Sequence, residues 1–341
     1  MSNIRLGIWA AIALILAPLA GAQSYAVTDL GTLNSGPWSQ PSAMNNHGVV
    51  VGSSSAIPGG GTENAFLWTA AAGMQDLGTL SGDDASGASG INDSDEVVGV
   101  SFPYSSTVQH AFVWTQSGGM AYMGTLGGNS SAATGINDSG EAVGYSYLAD
   151  NATFHAFLWT QTGGMQDLNF PGGPNSVATA INVSGEVVGY YYPSANTNIF
   201  HAFLWTQTGG MKDLGTLGGT KSAAYAVSPS GQVYGWANVS PNESEAFIWT
   251  QSGGMRRLGS GPNSEALGVN GSGEVVGSSR IYPEIGFLWT PSKHSQTLNA
   301  LIPPNSGWSL GYGWAVNRSG QIAASGNING ETHAALLTPT N

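Results

Sequence analysis

The chain contains no cysteine in 341 residues. That excludes disulfides, thiolate metal ligands and thiol nucleophiles, and it leaves burial and hydrogen bonding to hold the fold. Charge is scarce as well: Asp, Glu, Lys and Arg make up 8% of residues, with 8 basic against 20 acidic and a formal charge of −12. Nucleic-acid recognition depends on clustered Lys and Arg. Arg256-Arg257 is the one adjacent basic pair, so no nucleic-acid partner is expected. Beyond residue 20 no apolar run approaches the ~20 residues that a spanning helix requires. There is no His-Glu-Xaa-Xaa-His zinc motif, and no helix signal follows the Gly-Thr-Leu-Gly-Gly stretches to make them a phosphate site.

Glycine, at 51 residues, and tryptophan, at 11, are abundant in a chain that is 41% hydrophobic. Many turns around an ample apolar content fit an all-β protein. The first 22 residues read as a secretory signal: Arg5 gives a positive start, Leu6 to Ala20 an apolar stretch, and Ala20-Gly21-Ala22 a small-residue cleavage site. The apolar stretch is short for a membrane anchor, and Ala22 stands where a lipoprotein needs cysteine. The mature chain is expected to start near Gln23, to be secreted or periplasmic, and to have no membrane attachment.

From there one unit recurs. Ala65 to Thr69 reads Ala-Phe-Leu-Trp-Thr, and versions follow at Ala111, Ala156, Ala202, Ala246, Gly286 and, worn, at Ala334. The steps from Trp68 through Trp114, Trp159, Trp205, Trp249 and Trp289 to the equivalent Leu337 are 46, 45, 46, 44, 40 and 48 residues. That is the length of a four-stranded propeller blade. No linker interrupts the period, so residues 23–341 are expected to form one domain of seven repeats of about 45 residues.

Within the repeat at 131–168, Ser131 to Asn137 predicts a first strand and Asp138-Ser139-Gly140 a tight turn. Glu141 to Tyr145, His155 to Thr160 and Met165 to Leu168 predict three more strands. The first is rich in small residues, as at Ala132, Ala133, Gly135, Ala178 and Ala180, which suits the crowded axis of a propeller. The bulky Phe-Leu-Trp strand then belongs further out. Tyr25 to Leu30 lacks a blade, while Trp314 to Asn317, Gln321 to Ser325 and His333 to Thr338 lack a fourth strand. The expected architecture is an all-β, seven-bladed β-propeller of four-stranded blades, closed by pairing the N-terminal strand with the C-terminal blade.

The strings His-Ala-Phe-Leu-Trp-Thr-Gln-Thr-Gly-Gly-Met, Asp-Leu-Gly-Thr-Leu-Gly-Gly and the Gly-Ile-Asn-Asp-Ser-Gly-Glu pattern together resemble the HAF-type extracellular repeat of bacterial exported proteins. The resemblance covers essentially the whole mature chain. It implies an extracellular location and a repeat architecture, and it brings no enzymatic activity or ligand with it. A hydrophobic, basic C-terminal sorting tail, present in many members, is missing.

Residues repeated from blade to blade are spread around a ring and are read as scaffold. This applies to His110, His155, His201 and His333, to Asp29, Asp76, Asp167 and Asp213, and to Glu96, Glu141, Glu186 and Glu274. Asp93-Ser94-Asp95-Glu96 lacks the spaced oxygen ligands of a calcium loop. Asn92, Asn137 and Asn182 begin Asn-Xaa-Ser triplets that turn geometry accounts for. No metal or cofactor is expected, and no catalytic residue is assigned.

The two tight turns of each repeat share one face, so the other face carries the loops that vary, where binding residues collect. Its pattern breaks most on the approaches to blades one and seven, at Trp38 and along Ile302 to Trp314, which includes Trp308 and Tyr312. Closure makes these blades neighbours, with Asp83 and Asp84 one blade further round. An aromatic cluster there suits stacking of a sugar ring or anchoring of a protein; hydrophobic cover for the closing blade competes with that reading. Tyr191, Tyr192 and Phe200 form a second candidate. The expected function is a monomeric binding module for an extracellular glycan or protein. A polysaccharide-active enzyme and a structural envelope or matrix component are the alternatives.

Overall fold

A computed structural model describes residues 24–168, 173–194, 198–279 and 283–340. The segment read as a signal, residues 1–22, lies outside the described residues. Seven four-stranded antiparallel sheets follow one another around a ring. Blades one to six span 39–76, 85–122, 127–167, 175–213, 222–262 and 264–297, each running from inner to outer strand in chain order. Blade seven takes three strands from Trp308–Val316, Ile322–Ile328 and Glu331–Thr340, and its outer strand from Ser24–Asp29. Ser24 pairs with Thr340 and Asp29 with Ala335, so the two ends of the chain share one sheet.

Local chemistry explains the repeat. At the first turn the Asn137 side-chain oxygen accepts the N–H groups of Ser139 and Glu141, and Gly140 takes the left-handed φ of 74° that the turn imposes. Each inner strand then carries a β-bulge at one fixed position, as between Ala133 and Gly135 or between Ala224 and Ala226. The bulge brings a carbonyl against the second strand. A Cβ on Gly144 would collide with the Ala132 carbonyl, and Gly52, Gly99, Gly189, Gly235 and Gly277 meet the same constraint.

The core sits between blades. Val51 and Leu67 of blade one pack with Ala88, Val97 and Phe112 of blade two, and Phe66, Phe112, Phe157, Phe203 and Phe247 are fully buried. Each such ring contributes about 1.5–3 kcal/mol of burial. Hydrogen bonds also join neighbours. The Ala opening each Ala-Phe-Leu-Trp-Thr string donates its N–H to a buried Ser hydroxyl on the next inner strand: Ala65 to Ser86, Ala156 to Ser176, Ala202 to Ser222. Ala334 donates to Ser39 in the same way, which ties blade seven to blade one.

Blade seven differs from the sequence expectation. Its inner strand begins at Trp308 rather than Trp314, and a one-turn helix, Leu298–Leu301, capped by the Thr297 hydroxyl, precedes it. Register shifts between Leu310 and Tyr312 and between Gly313 and Ala315 let pairing continue through a glycine-rich stretch that reads as loop.

Candidate functional site

A channel runs along the axis, walled by the seven inner strands. Its wider compartment measures about 520 Å³, and a second of about 220 Å³ lies toward the tight-turn face. One apolar residue per blade, from Met44 and Ile91 round to Val316, borders both compartments. On the tight-turn side a belt of buried asparagines circles the channel. The side-chain amide of Asn45 donates to the Asn92 carbonyl, Asn92 to Asn137, Asn137 to Asn182, Asn182 to Ser228, Asn270 to Asn317, and Asn317 back to Asn45. Ser228 has no amide, so the step from blade five to blade six is missing.

The belt occupies the repeated carboxylates. Glu96, Glu141, Glu186 and Glu274 each accept from the asparagine four residues earlier. Asp93 accepts from Asn46 and Asp95 from Asn45. Burial opposes ionisation of Asp93, but the Asn46 hydrogen bonds and the charges of His47 and Arg318 hold it below the usual carboxylate value. Among the described residues no three metal-capable side chains converge.

The repeated histidines face aspartates at the outer strands. His155 Nδ1 meets Asp167, His201 meets Asp213 and His333 meets Asp29, each at 2.9 Å. In blade one Asn64 donates to Asp76 at the equivalent positions, and in blade five Glu245 pairs with Arg257. Blade two has Tyr122 where the aspartate belongs, and His110 turns instead to Asp83 at 2.9 Å. These pairs clasp the third strand to the fourth or, at His110, to the loop leading into the blade. They are too far apart around the ring to act together.

The residues singled out from the pattern break each have their own partners. Asp83 is tied to His110, and Asp84 accepts the N–H of Tyr104. Trp38 forms a bridge to Thr332, and its carbonyl accepts from Ser55. Trp308 packs on the core of Leu298, Leu301, Ile302 and Leu310. Tyr312 stacks on Trp314 with centroids 5.2 Å apart, and Trp314 Nε1 donates to Ser325. Among the described residues no ring contact joins Trp38 to Trp308. Gly307 to Gly311 spells Gly-Trp-Ser-Leu-Gly, but Ser309 lies in extended strand paired with Asn327 rather than at a strand-to-helix elbow.

The larger aromatic surface lies on blades three to five. Tyr145 meets Phe154 at 5.9 Å, Phe154 meets Tyr192 of the next blade at 6.2 Å, Tyr192 meets Phe200 at 5.8 Å, and Phe200 meets Trp236 of blade five at 5.8 Å. Tyr147 and Tyr190 flank this arc, and Lys221 lies 5.6 Å above the Phe200 ring. All of these rings are half-buried. Trp236 Nε1 donates to the Tyr225 hydroxyl, and Tyr225 lines the channel, so the arc reaches the axis. Burial first, then Tyr192, Tyr225 and Tyr145, raises the Tyr190 hydroxyl well above its usual value, which keeps it a neutral hydrogen-bonding group. Of the second candidate, Tyr192 and Phe200 belong to the arc. Tyr191 points the other way, buried, with its hydroxyl on Asp213.

The arc has a sequence signal. The residue after the second-strand glycine is Tyr145, Tyr190 and Trp236 in three consecutive blades, but Ser53, Val100 and Ser278 in blades one, two and six.

No family model matches the chain, and no curated protein resembles it significantly. Solved structures share its fold at low identity. One of two prolyl endopeptidases studied for inter-domain dynamics in catalysis and specificity superposes with a TM-score of 0.59 at 12% identity, over 94% of this chain and 51% of that one. The chain thus spans about half the length of that endopeptidase. The β-propeller domain of the Trilobed protease from Pyrococcus furiosus, which has an open velcro topology, gives 0.55 at 8% identity over 89% and 96% of the two chains. TolB from Acinetobacter baumannii gives 0.48 at 13%, over 69% of this chain and 61% of that one. The first two likenesses show a β-propeller fold and nothing more specific.

Proposed function

We propose that this chain is an exported binding module that takes an extracellular carbohydrate on the aromatic arc of blades three to five. The observation that carries the reading is the run of half-buried rings from Tyr145 to Trp236, confined to the blades where the repeat departs from small residues. Rigid rings in contact offer apolar faces at little entropic cost, which suits the C–H faces of successive sugars. Tyrosine hydroxyls and Gln109, which accepts from Tyr145 at 2.7 Å, add polar groups at the margin. Export rests on residues 1–22 and on the resemblance to HAF-type repeats. The His–Asp and Asn–Glu sets are engaged in structural hydrogen bonds, which favours binding over catalysis.

The test is a screen of purified mature protein on immobilised glycans, repeated with Phe200→Ala and with Trp308→Ala. Retention of a carbohydrate by the wild type and by Trp308→Ala, with loss in Phe200→Ala, supports the arc. Loss only in Trp308→Ala moves the site to blade seven. Absence of any retained glycan contradicts the reading.

A further inference from the structure

We infer that the axial channel is a second binding site, separate from the arc, for a single neutral sugar ring or a cyclic polyol with one apolar face. The basis is a break in sevenfold symmetry at the bulge of each inner strand. A bulge leaves one residue unpaired and re-aims its side chain. The bulged residues are Ser42, Ser89, Thr134 and Thr179 on four consecutive blades, then Tyr225, Leu267 and Trp314 on the remaining three. All seven line the wider compartment. One half of its wall therefore presents hydroxyls and the other half aromatic and aliphatic surface.

The apolar half is held rigidly. Trp314 is fixed by its Nε1 bond to Ser325 at 2.9 Å and by a nearly parallel stack on Tyr312, and Tyr225 by its bond from Trp236 at 3.0 Å. On the polar half, Thr134 and Thr179 donate to carbonyls of their own and the following blade. The hydroxyls of Ser42 and Ser89 have no hydrogen-bond partner among the described residues. A pyranose or inositol ring matches this division, with its C–H face toward Trp314 or Tyr225 and its hydroxyls toward Ser42 and Ser89. A compartment of about 520 Å³ falls within the usual range for small-molecule sites. Glu265 is the one charged side chain in its lining, which disfavours an anion.

The experiment titrates the folded protein with glucose, galactose, mannose, N-acetylglucosamine and myo-inositol, read by tryptophan fluorescence and calorimetry. At least one is expected to saturate with one-to-one stoichiometry. Ser89→Phe, which fills the channel without removing a protein hydrogen bond, should weaken it at least tenfold at an unchanged Tm. Ser42→Leu serves the same purpose if Ser89→Phe does not fold. The double variant Tyr192→Ala, Phe200→Ala should leave it within twofold, which separates the channel from the arc. Absence of saturable binding by all five compounds overturns the inference, as does wild-type affinity in a folded channel-filling variant, whatever the arc binds.

Discussion

Glu245 and Arg257 meet at 3.2 Å across the third and fourth strands of blade five, at the positions that His155 and Asp167 hold in blade three. The acidic partner has changed strand while the contact is kept, as expected of a clasp whose role is to pair strands. Arg257, which lies opposite Phe247, reaches Glu245 on the diagonal, so Arg257→Asp alone brings two carboxylates together there and should lose about 0.2–1 kcal/mol. Adding Glu245→His should restore most of the loss in a double-mutant cycle followed by urea unfolding. A double variant as unstable as the single one would refute the clasp.

The asparagine belt makes two opposite forecasts. Asn137→Ala takes the amide donor from Glu141 and the acceptor from the Ser139 and Glu141 N–H groups, leaves the buried Asn182 carbonyl with the Gly185 N–H alone, and should cost about 1–3 kcal/mol. Ser228→Asn supplies the missing amide to the Asn270 carbonyl and should gain about 0.5–1.5 kcal/mol. Thermal melts of both variants check the pair.

Tyr25 sits 1% exposed in the core of blade seven, its buried hydroxyl without a hydrogen-bond partner among the described residues. Burial and the nearby Glu274 push that hydroxyl up to about 12. Replacing it by Phe removes an unsatisfied polar atom and keeps the ring, so Tyr25→Phe should raise the Tm. A fall in Tm would reveal a role for the hydroxyl.

Burial raises the Asp213 carboxyl, but hydrogen bonds from His201, the Gly215 N–H and Tyr191, with the charge of His201, outweigh it and leave the group below its ordinary 3.8. A folded value below the unfolded one gives stability that is fully present above pH 3.8 and lost as pH falls through the folded value. The stability difference between wild type and Asp213→Asn should therefore shrink as pH falls below 3.8. Denaturant midpoints across that range measure it.

The blade count and the closure were legible because a period of about 45 residues and two incomplete ends leave little choice of topology. Blade seven was less so. Leu310 to Trp314 is strand held together by bulges, and glycine content disguises that. At Trp38 and Trp308 the repeat breaks in length. The arc breaks it in side-chain size instead, at Tyr145, Tyr190 and Trp236. That Phe154 touches Tyr192 and Phe200 touches Trp236 depends on how the start of a third strand packs against the next blade. Sequence spacing alone does not carry that contact.

The most direct test of carbohydrate binding by the arc is calorimetry with the best ligand from the glycan screen, comparing wild type with the Tyr192→Ala, Phe200→Ala double variant. The account predicts an affinity at least tenfold weaker in the variant, a loss of about 1.4 kcal/mol, with the Tm of the propeller preserved. Equal affinities in two equally stable proteins would contradict it.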